Sequence, residues 1–212
     1  GNESLRLPEG IDFRQGALAE PLAVGLHAVN VAGLVPGQEV LVIGAGPIGL
    51  AVTLWARFFG AESVLVSEPA AGRRAMAEQV GATAVVDGAA SAAPILAEKS
   101  RGGVDVIFEC VGVPGLLAEC VDLAAPRSKL VVAGVCMQPD TFVPAAAVVK
   151  ELQLQFVLAY LKSDFQLALD MMASGRIDPL PMVTDRVNLA DMPAAFDGLR
   201  SPGGQCKVLV EP

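Results

Sequence analysis

The residues able to do chemistry begin with one stretch, Glu39 to Gly49, which reads Glu-Val-Leu-Val-Ile-Gly-Ala-Gly-Pro-Ile-Gly. An apolar, β-branched run ends in Gly44, and a helical pattern follows the turn. A glycine turn means pyrophosphate binding only in that strand-to-helix context. Gly44 can take the angles of the turn, Gly46 carries no side chain to hold a pyrophosphate away, and Gly49 lets the helix approach the strand. Pro47 suits the first helical turn but removes one donor, so Ile48 and its neighbours must supply the N–H groups. Ala61 to Ser67 reads as a second buried strand, which delivers Glu68 at its carboxyl end. That acid lies about twenty residues past the last glycine, where a carboxylate accepts hydrogen bonds from an adenosine ribose. Alone, the glycines describe an ordinary turn and Glu68 a solvated acid. Strand, spacing and helix together favour a dinucleotide site.

Groups that could move a proton are scarce. His27 is the only histidine, on the same predicted helix as Glu20, and it reads as a partly buried residue with one hydrogen bond. Cys110, Cys120, Cys136 and Cys206 are scattered without a CxxC pair. One histidine with dispersed cysteines does not make a three- or four-ligand zinc site by spacing. No GxSxG or HExxH motif is present. A dehydrogenase needs a group that polarises a carbonyl or activates an alcohol, and these residues do not supply it.

The elements that position these residues follow from composition and periodicity. The 212 residues are 53% hydrophobic and 18% charged, with net charge −8. That composition implies a sizeable core and argues against a nucleic-acid or anionic-membrane surface. Val40 to Ala56 carries no charge, yet Gly-Ala-Gly-Pro breaks it into pieces too short for a span of about twenty residues. Lone cysteines suit a reducing compartment. The first twenty residues show no basic start followed by an apolar run. A cytoplasmic location is therefore expected.

Helices are predicted at 17–32, 48–58, 71–80, 92–100, 115–123, 165–174 and 189–199. Strands are predicted at 39–43, 61–67, 84–87, 104–110, 129–135 and 152–159. A connection without assigned structure covers 136–151, and short extended pieces lie at 180–184 and 207–210. Alternating strands and helices imply an α/β fold, a doubly wound parallel six-stranded sheet of Rossmann type in the order 3-2-1-4-5-6. Its ligand crevice opens at the carboxyl ends of strands one and four.

Glu20-Pro21-Leu22-Ala23-Val24-Gly25-Leu26-His27-Ala28, followed by Gly-Ala-Gly-Pro-Ile-Gly-Leu, resembles the zinc-dependent medium-chain dehydrogenases, nearest their polyol, threonine and butanediol branch. Val104 to Pro114 and Val131 to Val135 are similar to that family's fourth and fifth strands. The resemblance implies that this chain is the carboxyl-terminal, coenzyme-binding part of an NAD-dependent enzyme. A preceding GroES-like catalytic domain of about 150 residues would carry most zinc ligands, and no zinc is expected in this chain. Residues 1–21 would be a remnant of that catalytic domain, 22–159 the dinucleotide-binding domain, and 160–212 the segment returning to the catalytic domain.

The resemblance also implies roles. Glu20 would reach the catalytic zinc in the complete enzyme, directly or through water. Gly44, Gly46, Pro47, Ile48 and Gly49 would form the pyrophosphate turn. Glu68 would hold the ribose and Arg73 lie near the adenosine. Pro69 and Val111 would flank the adenine, beside Gly112. Ala133, Gly134 and Val135 would hold the nicotinamide carboxamide. Leu158-Ala159-Tyr160 replaces the Phe-Arg-Tyr of polyol dehydrogenases, and Arg127-Ser128 replaces a Gly-Gly pair. The implied partners are a small alcohol or ketone substrate and a second copy of the chain, paired through the edge strand 152–158. No nucleic acid and no membrane is expected. Two alternatives are a non-catalytic dinucleotide-binding module and a zinc-free quinone reductase of the same superfamily.

Overall fold

The computed structural model describes residues 4–99, 102–199 and 204–212. In chain order, α1 (Phe13–Gly16) and α2 (Ala19–Ala32) lead into β1 (Glu39–Ile43), α3 (Pro47–Phe58), β2 (Ser63–Ser67), α4 (Ala71–Gln79) and β3 (Ala84–Val86). Then come α5 (Ala89–Ala97), β4 (Val106–Glu109), α6 (Leu116–Leu123), β5 (Lys129–Val132), α7 (Pro144–Val149) and β6 (Gln153–Phe156). The chain closes with α8 (Lys162–Ala173), β7 (Val183–Asn188), α9 (Met192–Gly198) and β8 (Lys207–Glu211).

The sheet has the order β3-β2-β1-β4-β5-β6, and each neighbouring pair is parallel. Because side chains alternate along a strand, its two faces build two cores. Val40, Val42, Val64, Val66, Phe108 and Val131 pack under α2, α3 and α8. Leu41, Ile43, Leu65, Ile107 and Leu130 pack against α5 and α6. Continuous apolar strands are the consequence of covering both faces.

Helix α2 crosses α3 closely enough that a methyl group added at Gly25 would lie 2.6 Å from Ala51 Cβ. Trp55 Nε1 donates to Leu22 O at 2.8 Å across the same junction. The Glu-Pro-Leu-Ala-Val-Gly stretch is thereby fixed against the helix that follows the glycine turn.

Several elements depart from the sequence-based expectation. Pro144 to Val149 forms α7 inside the connection read as unstructured, because a six-residue turn is too short to show periodicity. Helix α5 starts at Ala89 rather than Ala92, and the predicted end at Ser100 lies outside the described residues. Strands β4 and β5 stop at Glu109 and Val132, where the apolar runs continue into loops. β7 and β8 pair parallel in a separate two-stranded sheet.

β6 lies at one edge of the large sheet. Gln153 N donates inward to Ser128 O and Val157 N to Val132 O. Alternation along a parallel ladder then turns the N–H groups of Leu154 and Phe156 outward. Phe156 is 62% and Leu158 81% exposed. Among the described residues no helix is long and apolar enough to cross a membrane.

Candidate functional site

The glycine turn sits where β1 hands over to α3. Gly44 has φ +95°, left-handed backbone that a side chain resists, and its N–H donates to Ser67 O at 2.8 Å. A Cβ on Gly49 would fall 1.8 Å from Gly44 O, so helix and turn touch through bare backbone. At Gly46, by contrast, an added Cβ would meet nothing within 4 Å. α3 starts at Pro47, so the N–H groups of Ile48 and Gly49 belong to its unpartnered first turn. An open cradle at the positive end of a helix fits a pyrophosphate.

One cleft, of about 490 Å³, opens beside the cradle and is lined by Gly44, Gly46, Glu68, Pro69, Arg73 and Val111, among others. Glu68 is only 5% exposed. Its Oε2 accepts from Ala45 N and its Oε1 from Ala70 N, both at 2.9 Å. Each carboxylate oxygen keeps a second lone pair, which leaves acceptor capacity for sugar hydroxyls. Arg73 Nε donates to Gln205 O at 3.0 Å, and Arg74 Nη1 donates to the carbonyls of Glu68 and Pro69. These two guanidinium groups clamp backbone. Asp87 lines the far wall, where the Ser91 hydroxyl holds its carboxyl below the usual range.

A second cleft of about 400 Å³ lies at the carboxyl ends of β4, β5 and β6, lined by Gly112, Val132, Gly134, Val135 and Cys136, among others. The N–H groups of Ala133 and Gly134 both donate to Glu109 O, at 2.8 and 2.9 Å. Glu109 itself went unnoticed in the sequence. It ends β4, is 3% exposed, and its Oε1 accepts from Val111 N and Gly112 N at 2.7 and 2.8 Å. The available signal was an acid closing an apolar strand just before Val-Gly, the same position that drew attention to Glu68.

Of the residues named from sequence, Gly44, Gly46, Glu68, Pro69, Arg73 and Val111 line the first cleft and Gly112, Gly134 and Val135 the second, while Pro47, Ile48, Gly49 and Ala133 line neither. Glu20 lines neither; it is exposed in the first turn of α2. His27 Nδ1 lies 2.9 Å from Asp164 Oδ2, and Asp164 also accepts from Asn30 Nδ2 and Leu161 N. That cluster fastens α2 to α8. Burial pushes the thiols of Cys110 and Cys120 up, the latter to about 12, and that of Cys206 to about 11. Thiols held in that range are poor nucleophiles. Among the described residues no group of three or more His, Cys, Asp or Glu could hold a metal ion. These residues by themselves therefore do not fit zinc.

Residues 47–174 match the family model of the zinc-binding dehydrogenases. The chain is 34% identical to 2-dehydro-3-deoxy-L-galactonate 5-dehydrogenase of Pseudoalteromonas atlantica over 207 residues, 97% of this chain and 60% of that protein. It is 32% identical to D-xylulose reductase A of Aspergillus oryzae, over 94% of this chain and 57% of the relative. Among solved structures, 2R,3R-butanediol dehydrogenase from Bacillus subtilis superposes with TM-score 0.89 at 32% identity, covering 98% of this chain and 60% of that one. A zinc-binding dehydrogenase from Sinorhizobium meliloti bound to NADP gives 0.86 at 33%, covering 98% and 62%. The chain thus spans about 60% of the length of the relatives it matches. It belongs to the zinc-binding dehydrogenase family and corresponds to its coenzyme-binding part, a Rossmann-type domain.

Proposed function

We propose that this chain is the coenzyme-binding part of an NAD-dependent alcohol or polyol dehydrogenase, in which hydride passes between a secondary alcohol carbon and nicotinamide C4. The observation that carries the coenzyme choice is Glu68, a buried carboxylate that lines the first cleft, while Arg73 Nε and Arg74 Nη1 donate to backbone carbonyls. A free 2′-hydroxyl finds an acceptor there, and a 2′-phosphate meets a like charge. The Sinorhizobium relative carries NADP, so the preference is a property to be measured on this chain. NADH should bind more tightly than NADPH by about 1–3 kcal/mol, read by fluorescence titration. Equal or tighter NADPH binding overturns the assignment.

The site roles go with the same proposal. Gly44, Gly46, Pro47, Ile48 and Gly49 cradle the pyrophosphate, and Glu68 holds the ribose. Arg73 stands near the adenosine, Pro69 and Val111 flank the adenine, and Gly112 follows Val111 at the second cleft. Ala133, Gly134 and Val135 carry the carboxamide. Residues 22–159 form the coenzyme domain, and the flanks 1–21 and 160–212 belong to the catalytic domain. Glu20, exposed at the start of α2, fits a group that acts toward that domain. The alcohol or ketone substrate is likewise a proposal for the complete enzyme.

Two copies of the chain pair through the edge strand 152–158. The outward N–H groups of Leu154 and Phe156, beside exposed Phe156 and Leu158, offer an unprotected ladder. Because the N–H of Val157 points inward to Val132 O, proline belongs at position 154. Leu154→Pro should shift a dimeric wild type toward monomer in sedimentation while leaving the fold intact. A monomeric wild type, or a folded variant that stays dimeric, refutes the interface.

A further inference from the structure

Glu109 ends β4 at the junction with β1, where Ile43 and Glu109 are paired and Val132 of β5 lies on the other side. Four backbone N–H groups converge on this one residue. Its carbonyl accepts from Ala133 and Gly134, at the start of the loop after β5. Its carboxylate Oε1 accepts from Val111 and Gly112, in the turn after β4. Those two segments are pressed together around the carboxylate. A Cβ on Gly134 would lie 2.4 Å from Glu109 Oε2 and 2.3 Å from Gly112 N, and one on Gly112 would lie 2.5 Å from Val135 N. No side chain fits between them, and Glu109 forms part of the wall of the 400 Å³ cleft together with Gly112, Gly134 and Val135.

An ionised carboxylate in this position does more than an apolar residue of the same volume could. Without it the part-buried N–H groups of Val111 and Gly112 would lose their acceptor, and each charge-assisted bond is stronger than a neutral one. The turn after β4 and the loop after β5 share no ladder; the carboxylate holds the turn and the backbone carbonyl of the same residue holds the loop, so both are tied to the end of β4.

We propose that Glu109 is the positioning residue for the nicotinamide half of the cleft, fastening the 110–113 turn and the 133–135 loop in the one arrangement that leaves that half open. The inference rests on the coenzyme reading above. It separates from it because Glu68 and the glycine turn share none of these four bonds, and the 133–135 loop borders the second cleft alone, although Val111 also lines the first.

The test compares NADH with ADP-ribose, which lacks the nicotinamide ring, on the 212-residue chain. Wild type should bind both. Glu109→Ala should weaken NADH about tenfold or more and ADP-ribose by a clearly smaller factor, since the freed turn also borders the first cleft through Val111. Glu109→Gln, whose amide oxygen can still accept from Val111 and Gly112, should recover part of the NADH affinity. Asp164→Asn serves as the control, since Asp164 is a buried carboxylate remote from both clefts and should lower the melting temperature without moving the NADH to ADP-ribose ratio. Gly134→Ala should reproduce the selective NADH loss if Glu109→Ala does not fold. Equal losses for both ligands, or no loss of NADH affinity, overturn the positioning role. A wild type that binds neither ligand overturns the coenzyme reading instead.

Discussion

The two halves of the crevice use one device in two ways. Glu68 directly follows β2 and Glu109 ends β4, both buried, and each carboxylate takes the backbone N–H two residues further on, from Ala70 and Val111 respectively. Beyond that they differ. Glu68 spends its other oxygen on Ala45, inside the glycine turn, so it joins two neighbouring strand ends and still lines the first cleft. Glu109 gives a second bond to its own turn and its backbone carbonyl to the next loop. A strand-end acid is therefore a framework piece in both halves. Position at a strand end identifies such an acid. Its hydrogen-bond partners decide its role.

The largest test breaks the part that the adenosine half shares with the fold. Gly49→Ala would drive a methyl group to within 1.8 Å of Gly44 O, forcing α3 off the turn. A loss of about 3 kcal/mol or more in denaturant unfolding is expected, with coenzyme binding abolished. A stable variant that still binds NADH would show that the close helix-to-turn contact is dispensable.

Glu68→Gln sharpens the contrast at intermediate cost. The substitution removes the negative charge facing the 2′ position, so the NADH to NADPH affinity ratio should fall by about tenfold to a hundredfold. The same change at Glu109 should leave that ratio alone. Matched effects from the two variants would erase the division of labour between the halves.

The smallest effect is expected away from both. Arg127 adopts φ +64°, a left-handed conformation that costs a non-glycine residue roughly 1–2 kcal/mol. Its ion pair with Glu151, at 3.3 Å, joins two side chains that are 77% and 72% exposed, a setting that contributes little. Arg127→Gly should therefore raise stability by at most about 1 kcal/mol, after the flexibility glycine adds to the unfolded chain, with coenzyme affinity unchanged. The adjacent Ser128 is different, since its buried hydroxyl donates to Val104 O at 2.6 Å and holds the entry of β5 to that of β4.

Strand order and the glycine turn were legible because their causes are local or periodic. Apolar runs bounded by glycines make strands in any surroundings with both faces covered, and right-handed crossovers leave few ways to order them. Glu68 was legible for the same reason, through its distance along the chain from Gly49. Glu109 was not, since its significance lies in Gly134, more than twenty positions away and brought beside it only by the β4–β5 pairing. The helix α7 escaped because one short turn carries no period. The commitments of Arg73 to Gln205, of His27 to Asp164 and of Val157 to Val132 joined residues on different elements. The sequence by itself determined the layered sheet, the cradle and the class of ligand. Only the tertiary structure decided which charged groups remain available to that ligand, because hydrogen-bond partners are fixed by distances that no spacing along the chain encodes.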